Sequence, residues 1–77
     1  MPKAKPYNGH RSWNAWNVAL WIGNDEGLYR LALDCKRGAR NATVAAHRFL
    51  AVMGGQKTPD GGVYNLKCVR EALVGLE

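Results

Sequence analysis

Long apolar runs are missing from this 77-residue chain. None approaches the ~20 residues needed to cross a bilayer. The basic start, Met1-Pro2-Lys3-Ala4-Lys5, is not followed by the apolar stretch of a secretory leader. Cysteine is scarce as well. Cys35 and Cys68 are the only two and lie far apart, whereas small secreted domains carry dense, closely spaced bridges. The expectation is a soluble cytoplasmic protein with reduced thiols and no membrane association.

Acidic residues are few and unevenly placed. Six Asp and Glu stand against eleven Lys and Arg, a formal charge of +5. Residues 1–24 contain Lys3, Lys5 and Arg11 with no acid, and the stretch from Lys36 to Arg48 holds Lys36, Arg37, Arg40 and Arg48, again with none. Such asymmetry points to a basic surface that faces nucleic acid or an acidic partner protein. It argues against a protein that mimics DNA with carboxylates.

Chemistry-bearing patterns are also lacking. His10, His47, Cys35 and Cys68 would suit zinc by type, but structural zinc sites contain a short paired spacing and none is present. Cys35 with His47 is the one nucleophile–base pair to consider, and Cys35 falls on an apolar stripe where burial makes a thiol inert. Gly54-Gly55 and Gly61-Gly62 read as a helix stop and a turn, not a phosphate cradle. The expectation is a non-enzymatic protein with no catalytic residues, no metal and no cofactor.

What the chain has in abundance is indole: Trp13, Trp16 and Trp21 lie within nine residues. A domain this small buries only about 60–65% of its unfolded surface, and each tryptophan can bury roughly 150–250 Å². The three are therefore expected to build much of the core. Trp21 should be core beside Val18 and Ile22, with Trp13 or Trp16 keeping an exposed edge.

The pattern predicts a mainly α fold: a compact bundle of about four short helices, residues 12–77, behind a flexible basic arm at 1–11. Ser12 caps the first helix, which is apolar nearly all round, carries no charge from Trp13 to Asn24 and is expected to end at Gly23. Asn24 or Asp25 caps the second, with Leu28, Leu31, Ala32 and Cys35 inward and Gly38 beyond its end. Asp25 and Glu26 at its start, and Lys36 and Arg37 at its end, follow the helix dipole. Asn41 caps a third, running to about Met53, with Ala45, Phe49, Val52 and Met53 inward. A turn-rich insertion, Thr58-Pro59-Asp60-Gly61-Gly62, follows, and Gln56–Thr58 with Gly62–Tyr64 can make a very short hairpin across it. Asn65 caps a last helix with Leu66, Val69, Leu73 and Leu76 inward and Arg70 and Glu71 in solvent.

Trp13, Trp16-Asn17-Val18-Ala19-Leu20-Trp21-Ile22, Asn24-Asp25-Glu26 and Leu28-Tyr29 resemble the signature of a family of short proteins from bacteriophages and plasmids. Tyr7-Asn8-Gly9, Thr58-Pro59-Asp60-Gly61 with Val63, and Glu71-Ala72-Leu73 extend the likeness. The family pattern often has an acid and a threonine before its second tryptophan, where Asn14-Ala15 stand here. The resemblance implies a mobile-element origin and supplies no activity.

Small mobile-element proteins of this kind commonly disable host machinery. The expected function is thus inhibition of a host defence complex by occlusion, a CRISPR interference complex being the specific target, in the host cytoplasm. Lys36, Arg37, Arg40 and Arg48 would steer and Trp13 and Trp16 would anchor, since interface hot spots favour Trp, Tyr and Arg. The alternative is a nucleic-acid-binding accessory protein using Arg11, Lys36, Arg37 and Arg40 on phosphates. A homodimer that completes the core stays open.

Overall fold

The computed structural model describes residues 12–76. The arm expected at 1–11, with Arg11 and His10, lies outside the described residues. Four helices follow in order: α1, Trp13–Asn24; α2, Glu26–Lys36; α3, Ala42–Met53; and α4, Leu66–Val74. No helix among the described residues is long and apolar enough to cross a membrane.

Each helix begins as its sequence dictates. Ser12, Asp25, Asn41 and Asn65 sit in extended backbone and accept, through the side chain, the N–H of the third helical residue. That bond satisfies one of the four orphan donors at each helix start.

The first helix ends later than expected. Gly23 stays helical, and α1 continues to Asn24, whose Nδ2 donates to Leu20 O at 2.9 Å. Asp25 then serves both helices. Its N–H donates to Trp21 O at 2.9 Å, and its Oδ1 accepts from Leu28 N at 3.0 Å.

α1 packs on α2 and α4, and α3 packs on the same two. The core between them is Ala15, Val18, Ile22, Ala32, Cys35, Ala45, Ala46, Phe49, Tyr64, Cys68, Val69, Ala72 and Leu73. Five of these are alanine, so helix backbones can approach closely. Both cysteines are buried free thiols. Val52, expected inward, is 57% exposed, while Phe49 of the same helix is fully buried.

No tryptophan belongs to this core, which corrects the expectation that the indoles build it. Trp21 is half-buried rather than central. The core-facing row of α1 is Ala15, Val18 and Ile22, one stripe at i, i+3 and i+7. Indoles there would force the neighbouring helices apart. At the core's margin their N–H can still reach a partner.

The insertion between α3 and α4 is a short hairpin with one antiparallel bridge, Lys57 to Val63. At its tip Gly61 N–H donates to Thr58 O at 2.9 Å, closing the turn. Gly61 has φ +95°, open to glycine and strained for other residues. Tyr64 carries the hairpin into the core, its ring centroid 5.8 Å from that of Phe49.

Candidate functional site

A helix advances 100° per residue, so α1 presents three faces. Ala15, Val18 and Ile22 face the core. Asn14, Asn17 and Trp21 face the hairpin. Trp13, Trp16 and Leu20 form a third stripe.

The hairpin face is a closed polar network. Asn17, only 1% exposed, accepts from Thr58 Oγ1 at 2.6 Å and donates from Nδ2 to Asp60 Oδ2 at 3.0 Å. Trp21 Nε1 donates to the same oxygen at 2.9 Å. Thr58 Oγ1 accepts in turn from Gly62 N–H at 2.7 Å. Asn14 Nδ2 donates to Val63 O at 2.9 Å and Cys68 Sγ at 3.1 Å, and its Oδ1 accepts from Val63 N–H at 2.6 Å. The bonds from Asn17 and Trp21 hold the Asp60 carboxyl below the usual carboxylate range. No buried side-chain polar atom among the described residues lacks a partner.

Gly62 allows this closeness. A Cβ there would lie 2.7 Å from Asn17 Oδ1 and 3.0 Å from Thr58 Oγ1. The two segments that carry the recognisable sequence pattern, Trp13–Ile22 and Thr58–Gly62, are thus bound to each other.

The third face is different. Trp13 is 39% exposed and Leu20 37%, with Trp16 half-buried between them. No charge interrupts the stripe. The helix bearing it is held on its two other faces.

The basic segment resolves into two pairs. Lys36 Nζ donates to Leu73 O and Leu76 O, both at 2.9 Å, at the end of α4. Arg48 Nη1 donates to Cys35 O at 3.3 Å and Arg37 O at 3.1 Å, at the end of α2. Two helix C-termini, each with partial negative charge, are therefore closed by cations from neighbouring elements. Arg37 and Arg40 are exposed, Arg37 lying 3.6 Å from Asp34.

Of the residues expected to bind a partner, Trp13, Trp16, Arg37 and Arg40 present surface to solvent, while Lys36 and Arg48 also hold the fold together. Arg11 lies outside the described residues. His47 is exposed on α3. Cys35 is buried, its thiol pushed up first by desolvation and then by Asp34, with Arg48 opposing. Among the described residues no three of His, Cys, Asp and Glu converge as metal ligands would.

Sequence reasoning passed over Asn14, Asn17, Thr58 and Asp60. The signal was there: polar groups at 14 and 17, and a polar-tipped indole at 21, repeat at i, i+3 and i+7 in an otherwise apolar helix.

A family of unknown function, DUF7249, matches residues 3–74. Neither a curated protein nor a solved structure matches the chain.

Proposed function

We propose that this chain, which belongs to the DUF7249 family of unknown function, is a non-enzymatic interaction protein that occludes a partner protein. The partner class proposed is a host defence complex, with CRISPR interference the specific target and a bacteriophage the source. What supports a binding role is the uncovered stripe Trp13–Trp16–Leu20 on a helix that the hairpin and the core both hold. A surface that is already rigid loses little entropy on binding.

The stripe is an anchor, not the whole contact. Its exposed fraction amounts to roughly 100 Å² per indole at most, whereas a stable interface needs about 800 Å² from each partner. Arg37 and Arg40 supply steering toward an acidic surface. By the same area, stripe-to-stripe pairing of two copies is by itself too small for a stable dimer.

Affinity capture from a host lysate, with and without nuclease, tests the proposal. A discrete protein complex that survives nuclease and is lost with W13A/W16A supports it, as does relief of CRISPR interference in living cells by the wild type alone. Capture of nucleic acid alone, with a log affinity versus log salt slope of about −3 or steeper, would instead place the protein among nucleic-acid binders.

A further inference from the structure

Asp60 differs from Asp25, Glu26 and Asp34. Asp25 caps α2, Glu26 pairs with Arg30 at 2.9 Å and Asp34 lies near Arg37. Asp60 is bonded by two neutral donors, and among the described residues it has no ion pair, although the chain has eleven Lys and Arg.

Both donors meet Oδ2. A carboxylate oxygen has two lone-pair sites, so Asn17 and Trp21 fill this one. Oδ1 receives no hydrogen bond among the described residues and the carboxylate is exposed. The groups that hold it are themselves anchored: Asn17 is buried and bonded to Thr58, and the turn behind Asp60 is closed by Gly61. The half-buried indole of Trp21 lies against the carboxylate on one side, its N–H bonded to Oδ2.

The geometry points to a subsite in which Asp60 Oδ1 receives the ammonium of a partner's lysine, its alkyl stem lying along Trp21. Lysine fits better than arginine for a stated reason. A guanidinium gains its advantage from a two-pronged bond to both carboxylate oxygens, and here one oxygen is already filled. A compact ammonium needs only the other. The net charge of +5 does not forbid this, because charges farther than about 8 Å are largely screened at physiological salt. Alkyl stems routinely lie on apolar surface while the charge stays in water. The subsite uses the proposed function only in bordering the Trp13–Trp16–Leu20 stripe.

The three indole N–H resonances separate the two readings. Acetyl-Leu-Lys-Leu-amide is titrated against the full chain, followed by ¹H–¹⁵N NMR, beside the same peptide carrying Nε-acetyl-lysine. Expected is a saturable shift of the Trp21 indole signal, with the neutral peptide about three- to fivefold weaker, the range of an exposed ion pair. In Asp60→Asn the amide oxygen still accepts from Asn17 and Trp21, so the fold is kept. There the two peptides should bind equally.

No Trp21 shift, a difference that persists in Asp60→Asn, or tighter binding of the same peptide with arginine in place of lysine would each overturn the subsite. Shifts confined to Trp13 and Trp16, alike for both peptides, would overturn it while leaving the stripe as a binding surface.

Discussion

Both backbone groups of Val63 are bonded by the one side-chain amide of Asn14, its N–H at 2.6 Å and its C=O at 2.9 Å. A helical side chain here does what a neighbouring strand would do for the hairpin. Asn14→Ala leaves both groups without that partner. The expected cost is about 1–3 kcal/mol, measured by urea unfolding, with faster exchange of the Val63 amide proton. Asn14→Asp keeps the acceptor but sets a carboxylate oxygen against Val63 O, and should cost at least as much.

The two glycines at the turn fail for different reasons when replaced. Gly61→Ala meets an unfavourable positive φ but no neighbouring atom, and should cost about 1–2 kcal/mol. Gly62→Ala meets the buried Asn17 oxygen and should cost about 1–3 kcal/mol. Gly62→Ala combined with Asn17→Ala relieves the clash. Thermal unfolding should therefore show the double variant less damaged than the sum of the two single ones.

Trp21 and Phe49 offer a contrast of margin with core. Phe49 is fully buried, and Phe49→Ala should cost about 3–5 kcal/mol. Trp21→Ala removes a half-buried ring and should cost about 1–2 kcal/mol by its smaller area. Equal losses in denaturant titrations would contradict the placement of Trp21 outside the core.

Most of the fold was legible because caps are local chemistry. Ser12, Asn41 and Asn65 announce helices through side chains that bond three residues ahead, and no tertiary contact is needed to read them. The turn at Thr58–Gly61 was legible likewise. The packing of α1 was not. Its apolar residues occupy most of the circumference, and nothing local says which face meets the core. That choice was made by size, the small row at 15, 18 and 22 winning over indoles. The Asn17–Thr58 contact spans 41 residues, so neither segment reveals it alone. Lys36 and Arg48 read as surface charge because the carbonyls they bond come from the ends of other helices or from distant turns.

Acid should loosen the hairpin through Asp60. Its folded pKa is depressed, so its contribution to stability is full above the unfolded value of about 3.9. It is lost as pH falls through the lower folded value. The Trp21 indole resonance should titrate below pH ~3.9, and Asp60→Asn should remove that step.

At the basic corner, Arg48→Ala should cost about 1 kcal/mol through the carbonyls it leaves unbonded. Arg37→Ala should stay within about 0.5 kcal/mol, as an exposed residue does. Affinity for an acidic partner should respond in the opposite order, falling and losing salt dependence in the Arg37 variant. Calorimetry and binding at two ionic strengths would separate these effects.

Asp25, which ends one helix and starts the next, leaves no slack between α1 and α2. An inserted residue at this joint would have nowhere to bulge. It would turn α2 by about 100° about its own axis, swinging Ala32 and Cys35 out of the interior and bringing charged Arg30 or Asp34 toward it. The spacing from Trp21 to Leu28 is therefore fixed as strictly as the residues themselves. Related chains should vary in letter there long before they vary in length.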